Sequence, residues 1–177
     1  MNKIAGIISD THGLLRPEVF QVFKNVDVIL HAGDIGSPEI LKELNALAPI
    51  IAVRGNNDKG DWANTFPEVQ KTHLGSVAIY MLHDRNELDL GVHPPDVQVL
   101  VSGHSHRPSI ERREGTLFVN PGSAGPRRFK LPISVARLII HGANVTAELI
   151  ELPNTAVIER RHDGKRSGTS RSVRKAR

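Results

Sequence analysis

The sequence predicts an α/β fold: an open sheet begun by parallel strands, with a second, strand-rich half packed on it. Three observations carry that expectation. Residues 3 to 53 alternate apolar runs with helix-start signals in the order β-α-β-α-β, a pattern that favours parallel strands joined by right-handed crossovers. From about residue 69 onward apolar runs recur with turn signals between them, which predicts a largely antiparallel second sheet. Several of the apolar runs end in carboxylate, imidazole or carboxamide side chains, and an open α/β sheet builds its sites outside the carboxyl ends of its strands.

Residues 3 to 9 read as a buried strand. Arg16-Pro17 opens a short helix through about Asn25, with Pro at the first turn where its missing N–H costs little. Residues 26 to 30 are the next strand. Ser37-Pro38-Glu39 is a second helix start, with Ser at the cap, Pro at the first helical position and an acid in the first turn. Ile40, Leu41, Leu44 and Leu47 then recur at helical spacing until Pro49 stops the helix, and residues 50 to 53 form a third strand. A loop runs from Asn56 to Pro67. Strands at 69 to 74 and 76 to 82 make a hairpin, and residues 86 to 95 are irregular with a helical turn near 86 to 90. Strands follow at 97 to 102, 108 to 112 and 116 to 119. Asn120-Pro121-Gly122-Ser123 breaks the pattern, and strands at 133 to 140 and 145 to 151 form a final hairpin turning at His141-Gly142-Ala143-Asn144.

The 177 residues suffice for one domain with a sizeable core, assigned to residues 1–155. Aromatic residues are 4% of the chain, so that core is built from Val, Ile, Leu and Ala. The absence of cysteine excludes disulfides and thiolate metal sites. Asp10 and His12 interrupt the apolar N-terminus too early for a signal peptide, and nothing approaches the roughly 18 apolar residues of a membrane helix. A cytoplasmic location and no membrane contact are expected. Between residues 160 and 177 eight Arg or Lys stand against one Asp, a net +7, so the overall +4 leaves the remaining chain at −3. Residues 156–177 therefore read as a basic, disordered tail, with nucleic-acid contact by counterion release as the second reading.

The chemistry lies at the strand tips. Ser9-Asp10-Thr11-His12-Gly13, His31-Ala32-Gly33-Asp34, Arg54-Gly55-Asn56-Asn57-Asp58, Leu82-His83-Asp84 and Gly103-His104-Ser105-His106 each end an apolar run. Residues two apart in an extended chain point the same way, so His104 and His106 are expected to face one site. Candidate ligands are Asp10, His12, Asp34, Asn56, His83, His104 and His106. All offer oxygen or nitrogen, the donor set of Mn, Fe, Zn, Ni or Co. Seven ligands exceed one transition metal and fit two ions about 3.5 to 4 Å apart sharing a carboxylate. Two divalent ions, two aspartates and a bridging hydroxide leave a net positive charge, which attracts an anionic phosphoester. Water bound to such ions has its pKa lowered to about 7, a nucleophile that needs no side-chain base.

These motifs, with Asn120-Pro121-Gly122-Ser123, resemble the calcineurin-like metallophosphoesterases, and most closely the small, single-domain YfcE-like phosphodiesterases. The resemblance covers roughly residues 1 to 152. It implies a four-layer α/β/β/α sandwich with two central mixed sheets and a small phosphodiester substrate. It implies that Asp10, His12, Asp34 and His106 hold one divalent ion, Mn first among the candidates, and that Asp34, Asn56, His83 and His104 hold the other. Many relatives carry His after the motif Asn. Here it is Asn57, a catalytic candidate that can hydrogen-bond a phosphate oxygen but cannot deliver a proton near neutral pH. Good leaving groups, such as those of aryl phosphodiesters, are then expected to react best. Asp58, the other catalytic candidate, shapes the loop or orients Asn57 or a ligand. Asp84 replaces a Gly and either orients a ligand or faces solvent, and Arg85 is in reach of phosphate.

His31 is expected to be packed or hydrogen-bonded near the site. His73, His93, His141 and His162 are read as surface or turn residues, and Trp62 with Phe66 as a hydrophobic lid or anchor, substrate stacking by Trp62 being the second reading. Asn120 to Ser123 are expected to brace the site. Two other functions remain open: a non-catalytic interaction module, like the retromer subunit of this fold, and a nucleic-acid-directed nuclease anchored by the tail. A homo-dimer or tetramer is the weak default for assembly.

Overall fold

The first strand, β1 (Asn2–Ile8), is apolar from Ile4 onward because both of its faces are covered there. Ala5 and Ile7 enter the core between two sheets, while Ile4 and Ile8 pack on the opposite side against helices. A strand buried on both faces reads as a continuous apolar run rather than an alternating one. This computed structural model describes residues 2–88 and 96–154. The expected tail at 156–177, and His93 and His162, lie outside the described residues.

After β1 come α1 (Pro17–Val22), β2 (Val28–Ala32), α2 (Pro38–Asn45) and β3 (Ile50–Val53). The strands β4 (Val69–Leu74), β5 (Val77–Leu82), β6 (Val99–Val101), β7 (Ser109–Arg113), β8 (Thr116–Asn120), β9 (Ser134–His141) and β10 (Asn144–Glu151) complete the described chain. Single 3-10 turns form at Ala63–Thr65 and Arg85–Glu87. One sheet has the order β10-β9-β1-β2-β3 and the other β4-β5-β6-β8-β7. The opening β-α-β-α-β unit is parallel as expected, with Ile8 opposite His31 and Ala32 opposite Val53.

Two pairings differ from the sequence expectation. The second sheet is evenly mixed: β5–β6 and β6–β8 are parallel, and β4–β5 and β7–β8 antiparallel. The final hairpin joins the first sheet, with β9 antiparallel to β1 from Asn2 opposite His141 to Ile7 opposite Ala136. The alternation of β9 explains its place: Ala136, Leu138 and Ile140 enter the inter-sheet core while Val135 joins the helix side. It thereby closes the free edge of β1. Periodicity reports which side of a strand is apolar, not which neighbour it pairs with.

The helices cover the outer face of the first sheet through Val19, Ile40, Leu41 and Leu44. α1 is shorter than expected, ending before Asn25, whose φ of 67° leaves the helical region. α2 begins after Ser37 as expected, but the Ser37 side chain makes no capping hydrogen bond to the helix backbone. Leu47 falls beyond the helix and is 36% exposed. On the outer face of the second sheet Arg85 stacks 4.9 Å from the Phe118 ring centroid. Residues 89–95, between β5 and β6, lie outside the described residues. Among the described residues no helix is long and apolar enough to cross a membrane.

Candidate metal centre

The C-terminal tips of β1, β2, β3, β5 and β6 open on one side of the two sheets. β1, β2 and β3 run parallel in one sheet and β5 and β6 parallel in the other. The loop after β1 continues the ladder with the loop after β2: the Asp10 N–H donates to the Gly33 carbonyl at 3.0 Å, and His12 N–H to Asp34 carbonyl at 2.9 Å. Five of the seven candidate ligands have left-handed backbones: Asp10, His12, Asp34, His104 and His106, with φ between 46° and 65°. Asp and His are among the residues that tolerate this region, yet it costs roughly 1–2 kcal/mol each. Such strain persists only where surrounding bonds over-determine it, and it clusters at functional sites. The expectation that His104 and His106 lie on an extended chain is corrected here: β6 ends at Val101, and both residues turn back.

All seven side chains nevertheless meet. Asp10 Oδ1 lies 3.2 Å from His106 Nε2, which is 3.4 Å from His12 Nε2. His12 Nε2 is 3.8 Å from Asp34 Oδ2, and the same Asp34 oxygen is 3.4 Å from His83 Nε2. The His83 and His104 rings meet edge to face at 5.2 Å, and His104 Nδ1 is 3.1 Å from Asn56 Oδ1. Potential donor atoms of Asp10, His12 and His106 fall within 4.8 Å of one another, as do those of Asp10, Asp34 and His83. Asp10, Asp34, His83 and His106 form a buried floor, and Asn56 and His104 an exposed rim.

The hydrogen bonds present the ligand atoms inward. Asp10 Oδ2 accepts from Ser9 Oγ at 2.6 Å and from the His104 N–H at 3.1 Å, leaving Oδ1 buried and without a hydrogen-bond partner. His83 Nδ1–H donates to the Ala32 carbonyl at 2.7 Å, which fixes the ring and turns Nε2 inward, where it is buried without a hydrogen bond of good geometry. A second ring nitrogen tied to a carbonyl is how metal-ligating histidines are oriented. Burial works against charge on His83, but the Asp34 carboxylate 3.4 Å from Nε2 and the Ala32 carbonyl at Nδ1 outweigh it and carry its pKa up to about 9, so without an ion Nε2 holds a proton that a bound cation would displace. Burial alone would raise Asp34. Bonds from His83 and Asn57 hold its carboxyl well below the usual range. His12 is lowered chiefly by burial, against the pull of Asp34 and Asp10. Buried donor atoms without good hydrogen bonds, facing one another at ligand distances, fit a cation better than a packing role, which would have satisfied them.

Asn57 is at the site but engaged. Its backbone N–H donates to Asp34 Oδ1 at 2.9 Å and its amide to Asp34 Oδ2 at 2.6 Å. Asp58 is buried, and its two oxygens accept from Gly36 N–H and Gly55 N–H, each at 2.8 Å, tying the loops after β2 and β3 together. Gly55 has no alternative: a Cβ there would run into the Asp34 carboxylate. Asp84 Oδ2 lies 3.6 Å from His104 Nε2 while its Oδ1 accepts from Asn86 N–H. Arg85 pairs with Glu111 at 3.6 Å. Arg54 bonds Asn64 and Glu68, shaping the loop. A cavity of about 350 Å³ lined by Arg54, Asn56, Glu68, His83 and Glu87 adjoins the rim.

His31 is fully buried in a hydrogen-bond relay with Thr11, and burial lowers its pKa to about 4. Trp62 packs on the helix-side core with Phe66, ring centroids 6.5 Å apart, as an anchor. His73 and His141 sit in β4 and β9, outside the cluster. The Asn120–Ser123 turn braces the site: Asn120 Nδ2 donates to the Gly103 carbonyl at 2.7 Å and Ser123 Oγ to the Asp10 carbonyl at 3.0 Å. Two arginines escaped the sequence reading. Arg16 is buried and donates to the Gly125 carbonyl, and Arg128 reaches within 3.5 Å of His12 Nε2. The only sequence signal for Arg128 is a cationic run, Arg127-Arg128-Phe129-Lys130, just after the bracing turn.

Residues 4–143 match the model of the calcineurin-like phosphoesterase superfamily domain. A protein of Methanothermobacter thermautotrophicus named a probable metallophosphoesterase is 39% identical over 158 residues, covering 83% of this chain and 91% of that protein. The structure of the Escherichia coli phosphoesterase YfcE aligns with a TM-score of 0.61 at 26% identity, over 76% of this chain and 87% of that one. Vacuolar protein sorting 29 of Cryptosporidium parvum aligns with a TM-score of 0.73 at 20% identity, over 86% of this chain and 93% of that one, a likeness of fold alone. With candidate ligands at the strand tips of two mixed sheets and a family match over most of its length, the chain belongs to the calcineurin-like phosphoesterase superfamily.

Proposed function

We propose that this protein is a binuclear metal-dependent phosphodiesterase acting on small phosphodiesters in the cytoplasm. The observation that carries the reading is the pair of buried, unpartnered atoms, Asp10 Oδ1 and His83 Nε2, each facing further donors at 3.2 to 3.4 Å. Asp10, His12, Asp34 and His106 would hold one divalent ion and Asp34, Asn56, His83 and His104 the other, with Mn favoured over Fe, Zn, Ni or Co. When bound, the ions supply Lewis acidity and an activated water near neutral pH.

The chain's own residues prepare that chemistry. Ser9 and the His104 N–H aim Asp10, the Ala32 carbonyl fixes the His83 ring with Nε2 turned inward, and Asn57 holds both oxygens of Asp34. Asn57 is thus a positioning residue for Asp34, and Asp58 braces the loops that carry both. With Asn57 so engaged and unable to act as an acid, the leaving group departs without help from that position, which favours aryl esters. The experiment is hydrolysis of an aryl phosphodiester with Mn. Chelation by EDTA should abolish it, and Asp34→Asn should lower the rate by more than about 100-fold, beyond what loss of a supporting hydrogen bond typically costs. Full activity of Asp34→Asn would exclude this site. The fold likeness to vacuolar protein sorting 29 favours, as a second reading, a non-catalytic interaction module. Metal bound without turnover across a phosphoester panel would select it.

A further inference from the structure

The bracing turn continues into residues 126 to 130, all exposed, at the edge of the candidate metal centre. The base of this loop is rigid. Ala124 N–H donates to the Ser9 carbonyl at 3.1 Å, and Gly125 N–H to the Asp10 carbonyl at 3.2 Å. Buried Arg16 donates from Nε and Nη2 to the Gly125 carbonyl at 3.3 and 3.2 Å. A Cβ on Gly125 would collide with the backbone of Thr11 and Asp10. The far end closes on itself, with Leu131 N–H on the Arg128 carbonyl and Arg127 Nε on the Leu131 carbonyl.

From this fixed frame Arg128 extends Nη2 to 3.5 Å from His12 Nε2. The partner is unusual. A guanidinium has donors only and stays charged, while His12 Nε2 already faces Asp10, Asp34 and His106. Among the described residues no carboxylate pairs with Arg128. A permanent cation held beside a cation-collecting donor set calls for an anion between them. The next residue, Phe129, is 92% exposed with a φ of 54°. A bulky side chain in the left-handed region is an outlier, and no core packing explains this one.

We propose that Arg128 binds the phosphoryl group of the substrate at the mouth of the site, and that Phe129 is the platform for an aromatic ester substituent. The substrate class is then a phosphodiester bearing an aryl or heteroaryl group, a refinement that rests on the phosphodiesterase reading above. Arginine suits the first task because its fork matches two phosphate oxygens at once. An exposed ring suits the second because stacking tolerates any aromatic partner.

The test reads binding as well as turnover. Inorganic phosphate is titrated calorimetrically into the manganese-loaded, full-length protein. Arg128→Ala should weaken phosphate binding by about 10- to 100-fold, the worth of a charged hydrogen bond. Arg128→Lys should recover only part of it, and manganese binding should be unchanged in both. Phe129→Ala should leave phosphate affinity alone but reduce the preference for phenyl phosphate over methyl phosphate by about fivefold or more. Unchanged phosphate affinity in Arg128→Ala, or loss of manganese together with it, overturns the role of Arg128. An unchanged phenyl-to-methyl ratio overturns that of Phe129. If the unmutated protein hydrolyses no diester while Arg128→Ala still loses phosphate, the catalytic reading fails and the binding assignment stands. If it does hydrolyse diesters and Arg128→Ala binds phosphate normally, this inference alone fails.

Discussion

His31 shows how a single side chain near the centre is kept out of the ligand set. Its Nδ1 accepts the Gly33 N–H at 3.2 Å, so the proton sits on Nε2 and is donated to Thr11 Oγ1 at 2.9 Å. Thr11 in turn donates to the Ile35 carbonyl at 2.9 Å. Protonating Nδ1 would set it against a donor inside a dry core, so burial keeps the ring neutral and lowers its pKa to about 4, despite Asp58 and Asp10 nearby. The unfolded chain binds this proton near pH 6.5 and the folded one does not until about pH 4, so the unfolded state holds more protons in between. Stability should therefore be intact above about pH 6.5 and fall by up to about 3 kcal/mol as pH drops towards 4. His12, also lowered, adds in the same direction, whereas His83, raised to about 9, changes stability only between about 6.5 and 9. Urea unfolding of the metal-free protein across pH 7 to 4 measures the slope. His31→Gln should flatten it, and an equally steep slope in that variant would refute the assignment. His31 was legible as a hydrogen-bonded neighbour, because it stands near the end of an apolar run three residues before Asp34. Its tautomer was not, because that depends on Thr11, twenty residues away.

Helices and loops divide at the element level between local and non-local causes. The starts of α1 and α2 follow from Pro17 and Pro38, whose fixed φ suits the first helical turn. The capping role of Ser37 does not survive, since its side chain makes no hydrogen bond to the helix backbone. Ser37→Ala should accordingly destabilise by less than the about 1 kcal/mol typical of a lost cap. Leu44→Ala, which empties a fully buried position under the first sheet, should cost about 2–5 kcal/mol. Thermal or urea unfolding of the two variants side by side tests both, and a Ser37→Ala loss matching a true cap would overturn the reading of α2. The loops were legible as ligand carriers but not in their paths. Five left-handed residues turn the ligands back over the strand tips. They are held there by partners such as Gly33, Asp34 and Ser123, which lie far away in sequence or in another loop.

For the molecule as a whole, the site depends on two sheets presenting their strand tips to the same side. Asp10, His12, Asp34 and Asn56 follow strands of the first sheet, and His83, His104 and His106 follow strands of the second. A divalent ion that binds only when these meet stabilises the folded state by mass action, by about 2.7 kcal/mol at a hundred times its Kd. For a chain of this size that is a rise in Tm of roughly 5–10 °C. Calorimetry with manganese should find it in the unmutated protein and find little of it in Asp34→Asn. An equal rise in both would place the bound ion elsewhere. By itself the sequence determined the α/β class, the order of the elements and the burial of β1, and it singled out seven candidate donors, because periodicity and residue chemistry are local properties. Tertiary structure alone decided that β9 closes the edge of β1, that β6 pairs in parallel with β8, that Asn57 is spent on Asp34, and that Arg128 stands beside His12. Those outcomes depend on which distant segments come into contact, and contact is settled by the packing of the whole chain, which no local pattern encodes.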